Sequence, residues 1–336
     1  MKYVAPSWLP GGQLQTIWPA LFSRRTNGPA PAYQRERWTT PDQDFIDVDF
    51  VLQQGPLAQS SEQPLLVVFH GLEGSSRSHY CEALAEAALS QGWACAIPHF
   101  RGCSGEINWA PRAYHSGDYE EIAWILSRFR QQHTGPIIAV GVSLGGNALL
   151  RWAAEAGTAA SCMVSAVAAV CSPLDLAAGG HAIGQGFNRL VYTRMFLQTM
   201  VPKALRKLEQ HPGLFDRDAL LAARDLYAFD NVFTAPLHGF KSTEDYWQRA
   251  SSKPLLRQVR VPALVLNALN DPFVPAASLP AANEVGDWVT LCQPRHGGHV
   301  GFAQGPWPGH VKPMPDAVVR WLTDHVPQGG AQSRYG

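Results

Sequence analysis

The chain has no excess of charge of either sign and few charged residues overall. Among its 336 residues, 27 lysines and arginines balance 27 aspartates and glutamates, and charged residues make up only 16% of the sequence. No long run of like charge occurs. A protein that binds nucleic acid through the phosphates needs a concentrated basic surface, so this composition argues against a nucleic-acid partner.

Cysteine motifs and long apolar runs are also missing. The six cysteines are scattered, without a C-x-x-C pair, and several lie in apolar segments. This pattern favours buried free thiols over a disulfide framework or a zinc site. The first residues contain no apolar signal-peptide core, and no stretch approaches 18 consecutive apolar residues. We therefore expect a soluble protein in a reducing, cytoplasmic setting, without a transmembrane segment.

Apolar residues are abundant, at 46% of the sequence, which is enough for a large core. Continuous apolar runs at 65–69 and 94–97 are typical of strands that are covered on both faces. Helical patterns alternate with such runs, as at 80–91 and again from 118. This alternation predicts the α/β class, with a mostly parallel central sheet and helices on both faces. The polar–apolar alternation at 44–51 predicts a half-buried strand near an edge of the sheet.

The length suits one core with an inserted cap, because 336 residues are many for one compact domain and few for two. We expect an irregular arm packed on the core at 1–37, a core at 38–173 and 253–326, a helical cap at 174–252 and a flexible tail at 327–336. Within the cap, four apolar residues fall on one helical face, followed by a basic cluster: Phe187, Leu190, Val191 and Met195, then Lys203, Arg206 and Lys207. Packing of this apolar face on the core is favoured over contact with a membrane surface.

A glycine-rich turn at 141–145 carries the strongest chemical signal. It reads G-x-S-x-G, is followed by Gly146, and lies between a predicted strand at 136–140 and a predicted helix at 147–154. This is the pattern of a nucleophile elbow, in which the serine hydroxyl is exposed on a sharp strand-to-helix turn. Glycines there let the strand and the helix approach each other closely. Ser143 is therefore the predicted nucleophile.

A serine nucleophile needs a base and an acid, which in this fold follow in the chain order Ser, acid, His. His299 follows the last predicted strand and is flanked by glycines, so it is preferred over its neighbour His296. Asp271 follows the strand at 263–266 and is preferred over Asp175, which follows the preceding strand. The two histidines could also be metal ligands, but no H-E-x-x-H motif accompanies them, and we expect neither a metal nor a cofactor.

Two backbone N–H groups are expected to form an oxyanion hole. One belongs to Leu144, directly after the nucleophile. The other belongs to Leu72, in the loop after the strand at 65–69, where Gly71 allows the backbone to turn. His70 in the same loop is predicted to be a structural hydrogen-bonding residue.

Several motifs together resemble the YheT-like branch of the α/β-hydrolases. They span about residues 7 to 325, and they lie at 10–19 (PGGQLQTIWP), 70–75 (HGLEGS), 100–106 (FRGCSGE), 141–147 (GVSLGGN), 237–240 (LHGF), 270–273 (NDPF) and 296–302 (HGGHVGF). The resemblance implies the α/β-hydrolase fold, a triad of Ser143, Asp271 and His299, and a carboxylesterase-like or lipase-like activity. Gln13 stands where the branch often has histidine, and the arm is not expected to take part in the chemistry.

The sequence thus predicts a serine hydrolase that cleaves small acyl esters of short to medium chain length through an acyl-enzyme. Transfer of the acyl group to an alcohol, lipase or phospholipase activity, and amide hydrolysis would use the same residues and stay open. A binding protein without catalysis is disfavoured, because every residue type of the triad is present. Peripheral membrane contact and the oligomeric state are left open as well.

Overall fold

A twisted sheet of eight strands lies at the centre of the computed structural model, which describes residues 1–52 and 61–327. The strands are β1 (Tyr33–Thr39), β2 (Phe45–Val51), β3 (Leu65–Phe69), β4 (Ala94–Pro98), β5 (Ile137–Val142), β6 (Ala166–Val170), β7 (Ala263–Leu266) and β8 (Val289–Cys292). Their spatial order is β1-β2-β4-β3-β5-β6-β7-β8. β1 and β2 are antiparallel to their neighbours, whereas β3 to β8 are parallel. The predicted α/β class is therefore confirmed.

Helices cover both faces of this sheet. Those that precede β6 or follow β8 are α1 (Gly11–Leu21), α2 (His79–Ser90), α3 (Tyr119–Gln132), α4 (Leu144–Ala156), α5 (Ala160–Met163) and, at the end of the described chain, the helix Pro313–Thr323. Between β6 and β7 the regular elements are all helical: α6 (Leu176–Ile183), α7 (Gly186–Asn188), α8 (Arg194–Gln210), α9 (Arg217–Ala222), α10 (Leu226–Phe229), α11 (Ala235–Leu237) and α12 (Thr243–Ala250). We number the last helix, Pro313–Thr323, as α13.

Shorter helical turns complete the chain. Two π-helical turns join neighbouring helices without a break, at Arg189–Thr193 between α7 and α8 and at Asp230–Thr234 between α10 and α11. The 3-10 turns are Gly157–Ala159, Lys253–Gln258, Ala276–Ser278 and Ala282–Glu284. Residues 328–336, nearly all of the predicted flexible tail, lie outside the described residues.

The core consists of two apolar layers, one on each face of the sheet. Successive side chains of a strand point to opposite faces, so the five residues of β3 divide between the layers. Val67 packs in the layer that contains Ile122 of α3 and Leu149 of α4. Leu66 and Val68 pack in the other layer, against α2 and α13. All six cysteines are free thiols and four of them are buried.

Near the edge of the sheet the structure differs from the expected irregular arm and half-buried strand. The first 37 residues contain α1 and the start of β1, and β1 pairs with β2 as the edge strand. This pairing buries the acidic side chains of β2, because Arg37 binds Asp47 at 2.8 Å and Arg35 binds Asp49 at 2.7 Å. The alternating pattern of β2 thus comes from buried ion pairs and not from a solvent-facing side.

The apolar face predicted for the cap helix does not pack on the core. Phe187, Leu190 and Met195 are exposed and Val191 is half-buried, whereas Tyr192 is buried and its ring lies 4.5 Å from that of Phe273. Lys207, from the predicted basic cluster, is buried and donates hydrogen bonds to backbone carbonyls of residues 108 and 110. Most of the predicted apolar face is therefore exposed, and a residue outside that face, Tyr192, makes the buried contact. Among the described residues no helix is both long and apolar enough to cross a membrane.

Candidate active site

Ser143 lies on a strained turn between β5 and α4. Its φ of 53° and ψ of −119° belong to a region that residues other than glycine rarely adopt. The turn is held on the sheet by the Ser143 N–H, which donates to the Val170 carbonyl at 2.8 Å. This conformation is the one expected of a nucleophile elbow.

The two glycines after Leu144 make this turn sterically feasible. A Cβ atom on Gly146 would lie 1.9 Å from the Ser172 hydroxyl oxygen. A Cβ atom on Gly145 would lie 2.5 Å from the carbonyl oxygens of Phe69 and His70. Because real Cβ atoms essentially never come so close to backbone atoms, only glycine lets α4 begin directly against the end of β3.

Three of the predicted side chains meet at the carboxyl edge of the parallel strands. The His299 Nε2 atom lies 3.0 Å from the Ser143 Oγ atom, and His299 Nδ1 lies 2.8 Å from a carboxylate oxygen of Asp271. With Nδ1 donating to the carboxylate, Nε2 is left to accept the serine proton. The second Asp271 oxygen accepts from the Phe273 N–H at 2.8 Å, and Asp271 itself is buried.

The two alternative residues lie elsewhere. His296 is exposed, although it precedes His299 by only three residues. Asp175 is the N-cap of α6, where its carboxylate accepts a hydrogen bond from the Ala178 N–H at 3.0 Å. Neither residue shares a hydrogen bond with Ser143 or His299 in the described part of the chain.

The loop after β3 approaches the serine closely. A Cβ atom on Gly71 would lie 3.1 Å from the Ser143 Cβ atom. The backbone at Gly71, directly before Leu72, therefore lies beside the serine side chain. Leu144 is the first residue of α4, where backbone N–H groups lack helical partners and the helix dipole is positive. Both leucines line the same cavity as Ser143 and His299.

His70 stabilises this loop through hydrogen bonds of its ring. Its ring is fully buried, which lowers the pKa of His70 to about 3 and keeps the imidazole neutral. The Nδ1 atom lies 2.8 Å from the Gly71 carbonyl oxygen, and Nε2 accepts from the Phe100 N–H at 3.1 Å. A neutral ring with one donor and one acceptor satisfies both contacts, which agrees with the structural role expected from the sequence.

Sequence reasoning missed the contribution of α1 to this site. The Gln15 side chain is buried, and its carbonyl oxygen accepts from Asn270 Nδ2 at 2.9 Å and from the Gly297 N–H at 3.0 Å. Asn270 in turn accepts from the Gly298 N–H at 3.0 Å, and the Thr16 hydroxyl oxygen accepts from the His299 N–H at 2.8 Å. The arm therefore binds the loops that carry both His299 and Asp271. Its only local signal in the sequence is a pair of polar residues beside two glycines.

Two cavities meet at Ser143 and His299. One, of about 120 Å³, lies under the insertion and is lined mainly by apolar side chains, among them Ile183, Met200 and Trp247. The lining also includes the carboxyl group of Asp230, and burial raises the pKa of Asp230 to about 6. The other cavity, of about 300 Å³, lies between α1 and the segment that joins α7 to α8.

Cys171 lies next to this group, and its potential ligand atom falls within 4.8 Å of those of Asp271 and His299. Burial raises the pKa of the Cys171 thiol well above its usual range, and the sulfur accepts from the Val300 N–H at 3.3 Å. Because metals bind the thiolate and not the thiol, this arrangement does not favour a metal site. Cys171 instead packs behind the histidine loop.

Comparison with known proteins places the chain in a family. A sequence profile of the alpha/beta hydrolase fold matches residues 64–306. A protein of Escherichia coli K12 named "Putative esterase YheT" is 38% identical over 317 residues, which cover 93% of this chain and 90% of that protein. The human protein named "Phospholipase ABHD3" is 27% identical over 335 residues, which cover 97% of this chain and 80% of that protein.

Solved structures agree at the level of the fold. Alpha/beta hydrolase domain-containing protein 10 from mouse superposes with a TM-score of 0.53 at 15% identity, covering 87% of this chain and 98% of that one. A structure described as DcsB in complex with its substrate analogue superposes with a TM-score of 0.56 at 16% identity, covering 88% and 100%. The eight-stranded sheet, the extent of the profile match and the likeness to YheT together make the chain a YheT-like member of the α/β-hydrolase family.

Proposed function

We propose that the protein is a carboxylic ester hydrolase that works through an acyl-enzyme on Ser143. The observation that carries the proposal is the unbroken chain of hydrogen bonds from Ser143 through His299 to Asp271. The Ser143 oxygen attacks the ester carbonyl while His299 takes its proton. His299 then gives that proton to the departing alcohol, and Asp271 keeps the imidazole in the required tautomer.

The second half of the reaction returns the enzyme to its starting state. Water enters where the alcohol has left, His299 removes one of its protons, and the hydroxide adds to the acyl carbonyl. Breakdown of this tetrahedral intermediate releases the acid and returns the proton to Ser143. In both steps the negative oxygen is held by the N–H groups of Leu72 and Leu144, and each such donor contributes about two to three orders of magnitude in rate.

We further propose that residues 174–252 form the cap of the site and that the cavity of about 120 Å³ holds the acyl group. Its apolar lining suits a hydrocarbon chain, and its size favours chains of short to medium length. The names of two relatives, a phospholipase and a monoacylglycerol lipase, agree with an ester substrate.

The test is hydrolysis of p-nitrophenyl esters from acetate to palmitate by the wild type and by Ser143→Ala. Loss of the nucleophile is expected to lower kcat by more than about three orders of magnitude without unfolding the protein. Ser116→Ala is the matched control, because Ser116 lines the same cavity and is not hydrogen-bonded to His299. Activity retained in Ser143→Ala, or lost equally in the control, would contradict the assignment. Product analysis with added alcohol separates hydrolysis from acyl transfer.

A further inference from the structure

An exposed apolar surface lies beside the second cavity, mostly on the two helical segments that line it. It is formed by α1 with the residue that follows it, by the α7–α8 segment and by one nearby loop residue. The largest exposures are 73% for Leu190, 70% for Trp307, 64% for Leu21 and 56% for Phe22. Leu14, Phe187 and Met195 are exposed as well. We name these seven residues the outer apolar face.

The two helical segments are held side by side, so that these side chains belong to one surface. Gln13 of α1 donates to Asn188 of α7 at 2.8 Å and accepts from the Tyr192 hydroxyl at 2.6 Å. Leu21 and Met195, one from each segment, line the same cavity of about 300 Å³. Ser143 and His299 line that cavity too, so it connects the outer apolar face with the candidate active site.

The two chain segments that supply six of these seven residues carry charge of one sign, although the whole chain is neutral. Residues 1–35 and 176–208 contain nine lysines and arginines and no aspartate or glutamate. Some of these cations are already neutralised, such as Arg25, which pairs with Glu82 at 3.1 Å. Arg24, Arg189 and Arg194 are exposed and form no ion pair with any residue that the structure describes. Arg189 and Arg194 directly precede Leu190 and Met195 of the outer apolar face, and Arg24 lies two positions after Phe22.

We infer that the outer apolar face docks on the surface of an anionic phospholipid bilayer. Apolar and aromatic side chains flanked by unpaired arginines fit the boundary between acyl chains and negatively charged headgroups. A water-facing role does not account for the exposure of so many large apolar residues on two neighbouring segments. Docked in this way, the cavity opens toward the lipid, and an ester of a membrane lipid reaches Ser143 without crossing water. This last step rests on the proposed function, whereas the docking itself does not.

The experiment is flotation of the purified full chain with vesicles, followed beside hydrolysis of p-nitrophenyl acetate in vesicle-free buffer. Vesicles of phosphatidylcholine alone are compared with vesicles of equal parts phosphatidylcholine and phosphatidylglycerol. We expect binding to the anionic vesicles, weaker binding at high salt, and little binding to phosphatidylcholine. Because flotation does not depend on turnover, a failed esterase assignment and a failed docking proposal give different results.

Two variants and two matched controls locate the contact. Leu190→Ser is expected to weaken binding about tenfold by removing an inserted side chain. Trp288→Ser is its control, because Trp288 is also exposed but directly precedes β8, at the sheet edge opposite the site. Arg189→Gln/Arg194→Gln is expected to weaken binding about thirtyfold. Its control, Arg260→Gln/Arg320→Gln, removes the same net charge from other surfaces.

Loss of vesicle binding in both test variants, with controls and acetate hydrolysis unchanged, supports the proposal. No binding of the wild type to anionic vesicles, or an equal loss in the controls, overturns it. A dimer in vesicle-free buffer that Leu190→Ser dissociates would assign the face to a second copy of the chain and would overturn it too. If Leu190→Ser alters acetate hydrolysis, the arginine variant and its control decide.

Discussion

Replacing Gln15 by alanine should lower the activity of the candidate site, although Gln15 is hydrogen-bonded to none of its three side chains. The substitution removes the acceptor for two donors, the buried Gly297 N–H and the half-buried Asn270 Nδ2, and a donor to the Leu9 carbonyl at 2.9 Å. A buried donor left without a partner costs about 1–3 kcal/mol, and the half-buried amide adds less than this. The loop can avoid much of this cost by moving toward water, and His299 moves with it.

A shift of about 1 Å at a reacting group lowers the rate by about two orders of magnitude. We therefore expect Gln15→Ala to lower kcat for a p-nitrophenyl ester about a hundredfold, with KM nearly unchanged because the acyl cavity is intact. A purely structural role would lower the amount of folded enzyme and leave the kcat of the folded fraction unchanged. Titration of active sites with a fluorophosphonate distinguishes the two.

Gln13→Ala is the matched control for this prediction. Gln13 lies on the same helix and also has long-range partners, but these are Asn188 and Tyr192 and not the histidine loop. Its loss should leave kcat within a few-fold of the wild type. An unchanged kcat in Gln15→Ala, or an equal fall in Gln13→Ala, would refute the view that α1 positions His299.

Two further predictions concern carboxylates. Asp271→Asn should lower kcat by about four orders of magnitude at neutral pH, because it favours the wrong tautomer of His299. Asp175→Asn changes only a helix cap and should leave kcat unchanged. A loss below tenfold in Asp271→Asn would place the acid elsewhere. Burial raises the pKa of Asp230 to about 6. Between about pH 4 and pH 7 the native state therefore holds more protons than the unfolded state. The free energy of unfolding falls as the pH rises through this range. This fall amounts to about 3 kcal/mol and should vanish from the pH dependence of Asp230→Asn in denaturant unfolding; an unchanged dependence would contradict it.

The fold and the reacting residues could be predicted from the sequence because their signals are local. The elbow brings its strand, turn and helix within about twenty residues, and strands such as β7 have the apolar character that burial on both faces requires. The expected chain order of acid and histidine after the last strands then indicated Asp271 and His299. In the structure His299 is hydrogen-bonded to both Ser143 and Asp271. Their catalytic roles stay predictions.

The arm and the cap could not be predicted because their contacts are not local. Gln15 binds the backbone of Gly297, which lies 282 positions away, and no periodicity records such a pairing. The alternating pattern of β2 predicted a half-buried strand because its acidic residues suggested a solvent-facing side. Arginines of β1 neutralise these side chains and allow their burial, which the sequence of β2 alone does not indicate. For α7 and α8 the apolar face was recognised, but periodicity does not tell whether such a face meets a core or the outside.

The contact between the arm and the histidine loop has a consequence for the order in which the candidate site is assembled. The two partners lie near opposite ends of the chain, with Thr16 bound to the His299 backbone across 283 positions. Because Thr16 precedes His299 by 283 positions, α1 has no histidine loop to bind until that much more of the chain has been synthesised. If Ser143 and His299 act as proposed, a chain that stops before this loop carries the serine without its base. The proposed reactivity then begins only once the loop has been made and bound by α1.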